Sequence, residues 1–273
     1  MISLAALGND LYSGKTSLPF IAKRRIWYTI AIVVIALSAV LVVKPGLNPG
    51  IDFKGGSEVT VTGVADPSEG PGNDVLADKD LSSGSSVTTM GASSVRIQTN
   101  ELDKAQLDEL ASSLATAYDV DSGSVSATTI GPTWSADVTS KAARGLVIFF
   151  LLVGALIWIY FRTWKMAAAA LLALSHDIIV TIGIYAASGF EVTPATIIGV
   201  LTILGYSLYD TVVVFDKIRE NTSHYEAQTR STYAELANLA VNQTFIRSIN
   251  TSVVGVLPVA SLLVVGAFIL GAG

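Results

Sequence analysis

Five stretches of this chain are apolar for about the length a helix needs to cross a bilayer, roughly 20 residues. They cover 26–43, 146–161, 166–187, 194–215 and 249–270. The first, second and fifth contain no charged residue; the third and fourth contain one carboxylate each, Asp177 and Asp210. A soluble core does not require such blocks, so the expected fold class is an α-helical membrane protein with a multi-span bundle. Composition agrees: 51% of the 273 residues are hydrophobic and 14% are charged, against roughly 25% charged in soluble domains. Ala36-Leu37-Ser38 would suit a signal-peptidase site. The apolar run continues past it, however, and exceeds the 7–15 residues of an ordinary signal core.

Positive residues orient the spans. Lys23, Arg24 and Arg25 precede the first, Arg162 and Lys165 separate the second from the third, and Lys217, Arg219, Arg230 and Arg247 lie between the fourth and fifth. All place the N-terminus (1–25) in the cytoplasm, leaving 44–144 and the short 188–193 outside. In 44–144 acidic residues outnumber basic ones about two to one. No basic patch with interleaved aromatics appears, so no nucleic-acid partner is expected. Five spans put the C-terminus outside, where the sequence stops at Gly-Ala-Gly directly after an apolar run.

The long outer loop is large enough to fold. Residues 57–64 alternate in strand fashion, and 87–98 read as two short strands around Met90-Gly91. Leu107, Leu110 and Leu114 have helical spacing within 101–118, with Asn100 as a plausible N-cap. Residues 125–130 read as a last strand. The Gly, Pro, Ser and Asp content of 66–84 reads as a loop with room for one helical turn, a weak helix. Strand, weak helix, two strands, helix, strand is the order of a ferredoxin-like, split βαβ unit, giving a small α+β extracytoplasmic domain at 44–144. The bundle follows at 145–273, with a cytoplasmic connector at 216–248 whose residues 221–241 suit an amphipathic surface helix.

The chain lacks cysteine, and its two histidines, His176 and His224, stand far apart; neither a zinc site nor any other metal site is expected. No phosphate-binding loop, nucleophile elbow or dinucleotide fingerprint occurs, so neither a cofactor nor catalytic residues are expected. Gly55-Gly56 looks like a turn into the first outer strand. The chemistry lies in the spans, where an ionisable residue costs roughly 2.5–3.5 kcal/mol on insertion. Gly199, Thr202, Tyr206 and Asp210 share one helical face, which points Asp210 at neighbouring helices. It is a proton-carrying carboxylate, a member of a structural ion pair or a helix cap. Arg247 lies at the start of the fifth span, in the same half of the membrane. It would bias that carboxylate, or else snorkel to the interface. His176-Asp177, with Thr181 one turn on, would be a proton relay or a polar pair that locks helix packing. Asp216, beside Lys217 and Arg219, reads as interfacial.

Five ordered motifs together resemble the SecF family of the bacterial SecDF secretion complex. They are Gly50-Ile51-Asp52-Phe53-Lys54-Gly55-Gly56, Ile130-Gly131-Pro132-Thr133, His176-Asp177, the run from Gly205, Tyr206 and Ser207 through Asp210 and Thr211 to Asp216, and Asn242-Gln243-Thr244 followed by Arg247. The sister SecD family reads more like G-L-D-L-x-G-G at the first motif and has a larger outer region. The resemblance implies a resistance-nodulation-division type bundle in the bacterial cytoplasmic membrane. It further implies a SecD-like partner, a neighbouring SecYEG channel, an unfolded preprotein as substrate, and use of the proton-motive force. It carries proton passage onto Asp210 and Arg247. Two departures stand out: Tyr209 occupies a position where many members have Asn, and the family's sixth span is not within these 273 residues. The rival readings are a proton-coupled small-molecule exporter of the same superfamily and a structural subunit that does not couple.

Overall fold

The computed structural model describes residues 4–227 and 230–265. In chain order these form α1 (Leu4–Tyr12), α2 (Arg24–Val43), β1 (Asn48–Pro49), α3 (Ile51–Lys54), β2 (Gly56–Thr62) and α4 (Glu69–Asp78). There follow β3 (Ser86–Met90), β4 (Ser94–Thr99), α5 (Lys104–Ala117), β5 (Val125–Ile130), α6 (Pro132–Phe161), α7 (Trp164–Ser188), β6 (Glu191–Val192), α8 (Pro194–Thr222) and α9 (Tyr233–Val264). Among the described residues, α2, α6, α7 and α8 are long and apolar enough to cross a membrane. The expected fifth span, 249–270, begins inside α9 and ends outside the described residues. The chain divides into a helical unit and an α+β unit.

The helical unit packs through small residues and a shared apolar seam. Val153, Ile157 and Phe161 of α6 meet Ala167, Ala170 and Leu174 of α7 and Leu204 of α8. Between α2 and α7 the backbones approach so closely that a Cβ at Gly183 would collide with Ser38. Lipid offers no hydrophobic drive for helix association, so close packing of small residues does that work. The outward faces stay apolar and exposed, as at Ile32, Val40, Leu152 and Ile159.

In the α+β unit the sheet order is β3-β4-β2-β5, and every neighbouring pair is antiparallel. This is the split βαβ order expected from the sequence. Alternation along β2 and β4 turns Val59, Val61, Val95 and Ile97 inward onto Leu76, Leu107, Leu110, Leu114 and Tyr118. Glu58, Thr60, Arg96 and Gln98 belong to the other face or its border.

Two local expectations are corrected. Helix α5 is capped by Asp103 rather than Asn100: the Asp103 carboxylate accepts from the Gln106 backbone N–H at 2.8 Å, and the Gln106 side chain accepts from the Asp103 N–H at 3.1 Å. This reciprocal box satisfies two orphan donors at once. Asn100 instead donates to the Ser83 carbonyl at 3.1 Å, bracing the turn before β3. The stretch read as a loop contains the ten-residue α4. Its weak propensity is offset by tertiary contacts. Leu76 is buried in the core, Pro71 occupies the first turn where a missing N–H is tolerated, and the Tyr118 phenol ties down the helix start.

Candidate functional site: polar side chains on three helices

Helices α7, α8 and α9 carry the polar residues singled out in the spans. On α7, the Asp177 carboxylate lies 3.2 Å from His176 Nδ1 through Oδ1. It accepts the Ser207 hydroxyl of α8 at 2.5 Å through Oδ2. Thr181 Oγ1 donates to the Asp177 carbonyl at 2.8 Å, and Thr211 Oγ1 to the Ser207 carbonyl at 2.9 Å. Asp177 therefore joins two helices, with its neighbours' hydroxyls satisfied along their own backbones.

Asp210 sits three residues beyond Ser207 on α8 and is half-buried. Its Oδ1 is buried and, among the described residues, receives no hydrogen bond. Among the described residues Asp210 and Arg247 form no ion pair. Their placement in the same half of the membrane allowed such a pair without requiring it. Arg247 of α9 instead donates from Nη2 to the Tyr209 hydroxyl at 2.8 Å, with its guanidinium carbon 5.8 Å from the Tyr209 ring centroid. One turn away, Tyr206 lies against Gly255 of α9. No neighbour would meet a side chain at Gly205, which opens on the exposed face with Tyr206 and Tyr209.

The other motif residues hold structure around these side chains. Asp216 accepts a long hydrogen bond, 3.4 Å, from the Tyr160 hydroxyl near the end of α6. Asn242 is almost fully buried and grips the peptide at Leu18 from both sides: its Oδ1 accepts from the Leu18 N–H at 2.8 Å and its Nδ2 donates to the Leu18 carbonyl at 3.0 Å. Gln243 joins Asn221 of α8 and the Tyr12 carbonyl, while Thr244 bonds back to its own helix. At the start of α9, the backbone N–H of Thr232 holds the exposed Glu235 carboxyl below its ordinary range.

In the α+β unit, the first glycine motif is explained by close approach. A Cβ on Gly50 would fall 2.5 Å from Glu191 Oε1, and one on Gly56 would fall 2.5 Å from the Thr99 carbonyl oxygen. Gly55 and Gly56 also have positive φ, 76° and 133°, conformations that glycine adopts without strain. Between them, α3 carries Asp52 and Phe53, with the Phe53 N–H bonded to the Gly50 carbonyl. Gly131 stands near Glu101, and Pro132 opens α6, its carbonyl accepting from Ser135. Glu191 of β6 was not anticipated. It pairs with Arg96 Nη1 at 2.6 Å and accepts from Gln98 Nε2 at 2.8 Å, while Glu58 accepts from the same amide nitrogen at 2.9 Å. Glu58, Arg96 and Glu191 border a cleft of ≈ 290 Å³ that Asp52 also lines. The only sequence signal was opposite charge on outward strand positions; the third partner, Glu191, comes from 95 residues beyond Arg96. Among the described residues no group of acidic, histidine or cysteine side chains is arranged to hold a metal.

The model of the protein-export membrane protein SecD/SecF C-terminal family matches residues 110–272, and that of the SecD/SecF GG motif matches 40–63. The chain belongs to the SecD/SecF family. It is 44% identical over 282 residues to the protein translocase subunit SecF of Streptomyces coelicolor, covering all of this chain and 73% of that one. It is 40% identical to the SecF of Mycobacterium leprae, covering 96% of this chain and 59% of that protein. Among solved structures it resembles the SecDF of Thermus thermophilus, a translocon-associated membrane protein. There the TM-score is 0.81 at 28% identity, over 93% of this chain and 35% of the other. A SecDF structure in a super-membrane-facing form matches over 94% of this chain with a TM-score of 0.58. The chain thus spans about three fifths to three quarters of these two SecF relatives and about a third of the Thermus SecDF chain.

Proposed function

We propose that this chain is a SecF-type subunit, multi-pass in a bacterial cytoplasmic membrane with its N-terminus in the cytoplasm. It works with a SecD-type partner beside a SecYEG channel and uses the proton-motive force to assist movement of unfolded preproteins. The family membership supports the translocase role. The observation that carries proton use is the Asp210 carboxylate, one oxygen of which is buried in α8 and has no hydrogen-bond partner among the described residues. A carboxylate in a span is retained against a cost of roughly 2.5–3.5 kcal/mol, and one without a fixed donor is available to take up and release a proton.

In this reading Asp210 carries the proton and Arg247 supplies the fixed positive charge. Asp177, with His176 and Ser207, links α7 to α8 so that a change at Asp210 is felt by both helices. A proton moving down the electrical gradient contributes about 2.3 kcal/mol per 100 mV. That is enough to shift a balance between two helix packings by tens of fold, provided the states differ in their hold on the proton. The outer α+β domain would grip and release the preprotein in step.

The test is reconstitution of the chain with its SecD-type partner and SecYEG in proteoliposomes. With the ATP-driven stage halted, an imposed proton gradient should speed completion of preprotein translocation. Equal rates with and without the gradient would overturn the reading. Gradient-driven efflux of a small apolar dye in their place would favour an exporter.

A further inference from the structure

We infer that Tyr209 is a positioning residue that holds the Arg247 guanidinium off Asp210, so that the phenol decides which acceptor the arginine takes. Successive residues on a helix point about 100° apart, so Tyr209 and Asp210 present their side chains in different directions from the same turn of α8. Of these two adjacent residues, the guanidinium reaching over from α9 engages the tyrosine. It is bound to the phenol, by the 2.8 Å hydrogen bond to the hydroxyl and by its position over the ring. The buried Oδ1 of the carboxylate has no donor. A guanidinium would ordinarily favour a carboxylate over a phenol as partner, so the phenol holds it by geometry as well as by hydrogen bonding. The ring adds attraction for the cation through its face, which an amide side chain at 209 would lack.

Charged and titratable groups come from each of the three helices. His176 and Asp177 belong to α7, where Asp177 is already engaged by Ser207. Tyr206 and Tyr209 belong to α8. Arg247 is the cation contributed by α9. The consequence for transport rests on the proposed coupling role of Asp210 and Arg247, but the position of the arginine does not, and it can be measured alone.

A hydrophobic carbodiimide modifies protonated carboxyl groups in apolar surroundings and spares a carboxylate paired with arginine. In native vesicles holding the full chain and its partner, labelling of Asp210 is read at one fixed pH against an Asp210→Asn background. Tyr209→Phe removes a single oxygen and keeps the ring. It should lower Asp210 labelling several-fold as the freed arginine moves to the carboxylate, and Tyr209→Asn, which removes the ring as well, should lower it at least as far. In an Arg247→Gln background, Tyr209→Phe should change nothing. Labelling that is unchanged in Tyr209→Phe, or a fall that persists without Arg247, would overturn the assignment. Gradient-driven translocation is measured on the same vesicles. A shift in labelling with no gradient dependence of the wild type would leave the role of Tyr209 standing and remove the motor reading.

Discussion

Single atoms decide much of how this chain is held. The Tyr118 hydroxyl donates to the Ser68 carbonyl at 2.8 Å and accepts from the Gly72 N–H at 3.0 Å. A side chain at 72 would fall 2.8 Å from that hydroxyl. Tyr118→Phe leaves the buried Gly72 N–H without its acceptor. It should therefore destabilise the α+β domain by about 1–3 kcal/mol, read as faster hydrogen exchange across β2 and β4 in the intact protein. Burial pushes the Tyr118 phenol above its ordinary value. The folded state then binds the proton more tightly than the unfolded one. The stability this provides is fully present below about pH 10 and is lost as pH rises through the folded-state value. Wild-type exchange protection should fall on that alkaline limb, and the Tyr118→Phe variant should lack this contribution. Unchanged exchange in the variant would contradict the bridging role. The sequence marked Tyr118 only as the end of a helix; its bond to Gly72, 46 residues away, exists only in the folded domain.

Elements were legible wherever a periodic apolar pattern coincided with a partner. Leu107, Leu110 and Leu114 announced α5, and alternation announced β2 and β4, because both patterns record the one face that must be buried. The cap of α5 was misplaced by three residues, since Asn100 and Asp103 are both competent caps and only Asp103 has a glutamine three positions on. Helix α4 was hidden because Gly70, Pro71 and Gly72 argue against a helix locally, whereas Leu76 and Tyr118 stabilise it from outside. The two-residue β6 could not be foreseen either. Its Glu191 engages Arg96 and Gln98 against a backbone that only Gly50 can present so closely. The three charged side chains are largely shielded, at 27% exposure for Arg96, 25% for Glu58 and 19% for Glu191. Glu191→Gln should therefore cost the α+β domain about 1–3 kcal/mol by weakening a charge-assisted bond to Arg96. Denaturant unfolding of the purified protein, followed by a probe in β4, should show the loss. No change in midpoint would mean that Glu58 alone suffices for Arg96.

At the scale of the whole molecule, the sequence carried the class of fold and the motifs, because lipid imposes long apolar helices and leaves few ionisable exceptions. It named Asp177, Asp210 and Arg247 as the exceptions and set His176 beside Asp177, but it did not give their contacts on other helices. Ser207 reaches Asp177 across two helices, and Arg247 takes Tyr209 rather than the expected aspartate. Side-chain choice between adjacent positions depends on helix rotation, which spacing alone does not determine. The account therefore centres on Asp210 as a carboxylate held free to exchange a proton. The most direct test compares wild type with Asp210→Asn in inverted vesicles containing the partner subunit, after equal assembly is established. The readout is completion of preprotein translocation with and without a proton gradient. The account predicts that the substitution removes the gradient-dependent part and leaves the rest intact; translocation that keeps its full response to the gradient would contradict it.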